Sequence, residues 1–207
     1  MIRVAVIDDH FVVRVGLRAI LEKHPDLVFA GEADSGAGIA AFLAQTKPDV
    51  LLLDIRLPGT DGIAALAAAR AANPAQKVVM LTTSDADNDI YRSLSLGAKG
   101  YLLKDRDSKA IVEAVRRVAA GGTFVPDAVR ARFRDRQMMP EVTERELEVL
   151  ALVVDGLSNE QIARRLDVTY DCAKRHVKNI LAKFDVHDRA QLVAAALRRG
   201  FVQPRPA

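Results

Sequence analysis

A chain of 207 residues, half hydrophobic and 28% charged, is long enough for one or two folded domains and too apolar to stay disordered. A lone cysteine, Cys172, excludes an intrachain disulfide, and no uncharged apolar run approaches the ~20 residues of a membrane span, so a soluble cytoplasmic protein is expected. The net charge of +3 lies beyond position 120, and residues 161–199 carry Arg164, Arg165, Lys174, Arg175, Lys178, Lys183, Arg189, Arg198 and Arg199 against Asp167, Asp171, Asp185 and Asp188. This suggests a polyanion partner for the C-terminal part alone; the plain alternative is a solvated basic helix face.

In chain order, β-rich apolar runs stand at Val4–Ile7, Leu27–Ala30, Val50–Leu53, Val78–Leu81 and Gly100–Leu103. They are continuous rather than alternating, as expected of parallel strands covered on both faces. Between them apolar residues recur at helical spacing, as in Val12, Val13, Leu17, Ile20 and Leu21; the last such helix follows Asp107 and stops at Gly121-Gly122. Five strand–helix repeats predict an α/β domain over residues 1–120. It is a doubly wound parallel sheet of flavodoxin-like order 2-1-3-4-5 with right-handed crossovers. Residues 121–140 read as a linker with a short helix around Asp127–Arg136. From 141 to 203 strand signals cease. Capping boxes at Thr143-x-x-Glu146 and Ser158-x-x-Gln161, and a weaker one at Asp188-x-x-Gln191, predict four helices near 143–155, 159–166, 170–184 and 188–199, a small all-α domain.

In such a sheet, functional groups gather at the carboxyl ends of the strands. Those ends hold Asp8-Asp9, Asp54, Thr82 and Lys104, with Tyr101 three residues before the lysine. Three carboxylates meeting at one edge repel one another unless a hard divalent cation joins them, and Mg²⁺ takes such oxygen ligands together with phosphate oxygens. The set suits phosphoryl transfer to a carboxylate. Asp54 is the nucleophile, Lys104 neutralises the transferring group and Thr82 hydrogen-bonds it. Taken singly, each has a plainer reading: Asp8-Asp9 caps a helix, Thr82 sits in a strand, Lys104 is solvated.

The pieces Ile7-Asp8-Asp9-His10, Leu53-Asp54-Ile55-Arg56-Leu57-Pro58-Gly59, Leu81-Thr82 and Gly97-Ala98-Lys99-Gly100-Tyr101-Leu102-Leu103-Lys104-Asp105 resemble the receiver domain of bacterial two-component response regulators. The resemblance implies that Asp54 accepts phosphate from a sensor histidine kinase. It implies that Asp8, Asp9, Asp54 and the main-chain carbonyl of Arg56 bind Mg²⁺, and that Tyr101 turns inward as a switch. It also implies no enzymatic activity beyond phosphorylation and dephosphorylation of Asp54 itself.

The stretch Thr143–Gly200 resembles the LuxR/NarL-type helix-turn-helix, through Thr143-Glu144-Arg145-Glu146-Leu147, Gly156-Leu157-Ser158-Asn159-Glu160-Gln161-Ile162-Ala163 and Lys174-Arg175-His176-Val177-Lys178. Receiver followed by helix-turn-helix is the order of the NarL/FixJ subfamily. By that pattern the helix near 170–184 enters the major groove of double-stranded DNA with Lys174, Arg175 and Lys178 toward the bases, and Ala173, Val177, Ile180 and Leu181 pack inward. Arg175 is the expected guanine reader, and Lys183, Arg189 and the helix start at Ser158-Asn159 hold phosphates. His176 reads as a packed residue. Two departures bear on the start of this helix: Cys172-Ala173 replaces the usual Thr-Val, and Asp167 the usual Gly. The implied mechanism is a population shift in which phosphorylation at Asp54 frees the C-terminal domains to pair as a homodimer, through Leu192 and Ala196 of the last helix, on a two-fold DNA site. Two rival readings are an aspartyl phosphatase, which would need a D-x-D strand end, and a ligand-sensing or phosphorylation-independent LuxR-type factor, which would need an aromatic-rich pocket.

Overall fold

Continuous apolar strands need cover on both faces, and the computed structural model supplies it. The structure describes residues 1–59, 61–83, 87–104, 107–138, 141–199 and 201–202. Asp105, the end of the expected linker at Met139-Pro140, Gly200 and position 203 lie outside these residues. The chain divides into two compact units, with the break inside a helix between Ala131 and Arg132.

The first unit runs β1 (Ile2–Ile7), α1 (Phe11–Glu22), β2 (Leu27–Ala33), α2 (Ile39–Thr46), β3 (Val50–Asp54), α3 (Gly62–Ala72), β4 (Lys77–Thr82), α4 (Asp87–Ser95), β5 (Gly100–Leu103), α5 (Ser108–Ala119) and the start of α6 (Asp127–Gln137). All strand pairs are parallel and the order is β2-β1-β3-β4-β5, as expected. Every residue of β3 is buried, and Val4–Ile7 and Val78–Met80 are fully so, which explains why these runs do not alternate. One face of the sheet packs Val6, Leu52, Leu81 and Leu102 against Leu17 and Leu21 of α1 and Ile111, Val115 and Val118 of α5. The register pairs Asp54 with Leu81 and Thr82 with Leu103, so the carboxyl ends of β3, β4 and β5 finish level.

Strands β1 and β2 are longer than their apolar runs. Arg3 joins β1 because its main-chain amide donates to Asp49 Oδ2 at 2.7 Å and its guanidinium reaches the Thr46 and Lys47 carbonyls ending α2. β2 continues through Gly31 and Glu32 to Ala33 on the sheet's outer edge, where the pairing with β1 keeps it extended past its apolar run.

The second unit contains α7 (Glu144–Val154), α8 (Asn159–Leu166), α9 (Tyr170–Phe184) and α10 (Arg189–Arg198). Thr143 with Glu146, and Ser158 with Gln161, each close both hydrogen bonds of a capping box. Asp188 accepts from the Gln191 amide, but the Gln191 side chain takes the His187 amide instead, so the third box is only half formed. Val149, Leu150, Ile162, Ile180, Phe184, Leu192 and Ala196 make the core. Leu192 and Ala196 are fully buried there, which corrects the expectation that they form a dimer seam: they close their own unit. Asp167 and Asp185, at the carboxyl ends of α8 and α9, adopt the left-handed conformation that glycine normally takes, with φ of 52° and 53°.

Candidate functional site

Each strand of the first unit's centre ends in a functional side chain. Asp8 follows β1 and is anchored by its amide on the Ala33 carbonyl; Asp54 ends β3; Thr82 ends β4; Lys104 follows β5, its amide on the Thr82 carbonyl at 2.8 Å. Asp8, Asp54 and Thr82 are buried. The Lys104 ammonium stands 2.7 Å from Asp54 Oδ2 and 2.7 Å from Asp8 Oδ2. Asp54 Oδ1 accepts from the Arg56 amide at 3.2 Å. Tyr101 is fully buried.

Asp9 completes the cluster together with its neighbour His10, whose part no sequence pattern marks. His10 donates its amide to Asp8 Oδ1 at 2.9 Å, and its Nδ1 lies 2.7 Å from Asp9 Oδ1. Ligand-type atoms of Asp8, Asp9, His10 and Asp54 all lie within 4.8 Å of one another. Two buried carboxylate oxygens, Asp8 Oδ2 and Asp9 Oδ1, make ion contacts but no hydrogen bond. A buried, acid-rich set of oxygen donors short of hydrogen bonds fits a hard divalent cation.

Electrostatics here are set by the low dielectric. Burial pushes the Asp54 carboxyl above the usual carboxylate range, more than Lys104 and the Arg56 amide pull it down. Burial also works against the Lys104 ammonium, but its hydrogen bond to Asp54 and its close pairing with Asp8 outweigh that and hold its proton more tightly than usual.

Two further features were not legible in the sequence. The Arg56 side chain pairs with Asp89 of α4 at 2.7 Å, and Arg92 of α4 pairs with Asp61, the residue capping α3, at 3.2 Å. Ion pairs thus tie the loop after Asp54 to α4. Gly62 opens α3 so close to β3 that a Cβ there would sit 2.0 Å from the Asp54 carbonyl oxygen. Both arise from spatial neighbours 31 or more residues apart, or from backbone approach, neither of which leaves a local pattern.

In the second unit α9 divides as expected. Lys174, Arg175 and Lys178 are exposed, while Ala173, Val177 and Ile180 are buried and Leu181 is partly so. His176 is half-buried. The helix starts cleanly without a hydroxyl at position 172, because Thr169 is the cap and its Oγ1 accepts from the Cys172 amide at 3.2 Å. The structure places the other three residues differently. The Lys183 ammonium is turned onto Glu146 Oε2 at 2.6 Å and the Glu141 carbonyl, with its side chain 24% exposed. Arg189 donates to the Leu157 carbonyl and to Asn159 Oδ1, so Arg189 and Asn159 engage each other and the end of the turn before α8.

Comparison with known proteins agrees with this geometry. Residues 4–116 match the family model of the response regulator receiver domain, and residues 140–196 that of the luxR family of bacterial regulatory proteins. The transcriptional regulatory protein YxjL of Bacillus subtilis (strain 168) is 39% identical over 98% of both chains. The response regulator protein VraR of Staphylococcus aureus is 35% identical over 98% of this chain and 99% of its own. The RcsB response regulator of Salmonella typhimurium, at 23% identity, shares the fold with a TM-score of 0.73 over 94% of this chain and 98% of its own. Among the described residues no helix is long and apolar enough to cross a membrane. With the receiver model spanning more than half of its length and relatives matching from end to end, the chain belongs to the two-component response regulators, a receiver domain joined to a DNA-binding domain of the luxR family.

Proposed function

We propose that Asp54 takes a phosphoryl group from the phosphohistidine of a sensor histidine kinase and that its phosphorylation shifts the chain toward a homodimer bound to a two-fold site on double-stranded DNA, in the cytoplasm. The observation that carries this is the meeting of Asp54, Asp8, Asp9 and Lys104 at adjoining strand ends beside Thr82. Asp54 Oδ supplies the electron pair that forms the new O–P bond as the N–P bond of the donor breaks, and the pair of that bond returns to the donor imidazole. Lys104, already positioned between two carboxylates, donates to the arriving phosphoryl oxygens, and the Thr82 hydroxyl donates to another. Mg²⁺, held by Asp8, Asp9, Asp54 and the main-chain carbonyl of Arg56, supplies charge neutralisation on the transferring group. The chain turns over no substrate besides its own carboxylate.

On DNA, Lys174, Arg175 and Lys178 are the open cations of α9 and the residues that enter the major groove, with Arg175 as the guanine reader. Lys183, Arg189 and Asn159, which engage partners within their own unit, are the residues that would hold the flanking phosphates. The test treats the full chain with acetyl phosphate and Mg²⁺, then measures intact mass and gel shift on its own upstream DNA. Wild type gains one phosphoryl group and binds more tightly; Asp54→Ala does neither. An Asp54→Ala chain that responds like wild type refutes the reading.

A further inference from the structure

Strand β5 is the outer strand of the sheet, and its open edge is covered in an unusual way. After α5 the chain reverses through Gly121, at φ +90°, and Gly122, where a Cβ would press on the Arg117 carbonyl oxygen at 3.1 Å. The turn lays Phe124 along β5 as a parallel bridge to Gly100. Phe124 donates its amide to the Lys99 carbonyl at 2.9 Å, and Tyr101 donates its amide to the Phe124 carbonyl at 2.9 Å. The first residues of the linker therefore serve as a minimal sixth strand, bonded to the main chain of the very residue expected to act as the switch. Bare strand edges invite foreign pairing, so the strip also protects the sheet. Its main-chain pairing is a single bridge. Beside the half-buried Phe124 ring, a cleft of about 360 Å³ opens between the strip and the domain, lined by Leu102, Ala110, Val125, Pro126 and Arg130. Two main-chain hydrogen bonds, with the Phe124 ring packed partly buried against the edge of the core, keep the strip in place.

We propose that this strip is a detachable relay: phosphorylation of Asp54 draws on β5, loosens the Tyr101–Phe124 pairing and frees the linker that leads to the DNA-binding unit. The inference deepens the function proposed above and rests on it. Lys104, immediately after β5, now spans Asp8 and Asp54, and its amide is bonded to Thr82. A phosphoryl group on Asp54 recruits both Lys104 and Thr82, pulling the end of β5 toward the site and away from its edge partner. A bridge of two hydrogen bonds is the shortest pairing a sheet can have and the first to open.

Amide hydrogen exchange on the full-length chain, with and without acetyl phosphate and Mg²⁺, tests this directly. Exchange at the Tyr101 and Phe124 amides should quicken by roughly tenfold or more on phosphorylation while β3 amides stay protected. Phe124→Pro removes the donor to Lys99. Unphosphorylated, this variant should bind DNA within about threefold of phosphorylated wild type, because the linker is already free. Should Phe124→Pro fail to fold, Gly122→Ala, which crowds the turn, replaces it, and the exchange measurement needs no variant. The relay is overturned if wild type acquires the phosphoryl group and tightens on DNA while both amides stay equally protected, or if the variant keeps the low basal affinity and full response of wild type. An absence of phosphoryl mass on wild type would instead sink the function on which the relay rests, and the basal affinity of Phe124→Pro would still decide the strip's role.

Discussion

Glu146 serves two interactions at once, as the reciprocal member of a helix cap and as the partner of Lys183. Burial alone would raise its carboxyl, but hydrogen bonds from Lys183 and from the Thr143 amide and hydroxyl outweigh that and hold it below its ordinary value of 4.5. A carboxyl depressed in the folded state stabilises fully above its unfolded value and loses that contribution as pH falls through the folded one. Stability of the second unit should therefore decline in acid from about pH 4.5 downward. Glu146→Gln, which keeps the shape but not the charge, should cost about 1–2 kcal/mol at neutral pH and flatten that acid limb, as read by urea denaturation across pH. Lys183 shows how a basic residue of a recognition helix can also serve its own unit: its ammonium pairs with a carboxylate 37 residues away in sequence. No local pattern distinguishes it from Lys178, which is open.

Helices and strands were the most legible level. Continuous Val/Leu runs marked the buried strands, and the two capping boxes marked the starts of α7 and α8, because these signals are written in consecutive residues. The expected order of strands followed from the repeat pattern and was found. What escaped was contact between elements: the Arg56–Asp89 and Asp61–Arg92 pairs that bind the loop after β3 to α4, and the inward facing of Leu192 and Ala196. An apolar helix face reads the same whether it closes its own core or meets a second copy. The departure at Asp167 also acquires a physical meaning at this level. It ends α8 in the left-handed region, where a Cβ is costly, although aspartate tolerates it better than most residues. Asp167→Gly should stabilise the second unit by about 0.5–1 kcal/mol in thermal denaturation, with the relief of strain partly offset by glycine's greater unfolded-state freedom.

For the whole molecule, charge is divided by task. The first 120 residues balance, as suits a sheet edge that concentrates acid for a cation, and the basic surplus lies in the unit bearing α9. Binding through that surplus should weaken steeply with salt. Replacing Lys174 and Lys178 together by alanine should lower the slope of log affinity against log salt by about 2, whereas Arg175→Ala should relax sequence preference more than it changes the slope. Fluorescence anisotropy on specific and scrambled duplexes over a salt series separates the two. Communication between chemistry and duplex is hostage to a much smaller thing, the hydrogen that Gly62 carries where every other residue has a carbon. A single methyl there would lean on the peptide of Asp54 and tilt the acceptor out of line. Gly62→Ala should thus leave all acids, lysines and arginines in place yet slow phosphorylation by acetyl phosphate by about tenfold or more. A regulator silenced in this way would look intact in any inventory of its charged groups, and its failure would be one of clearance.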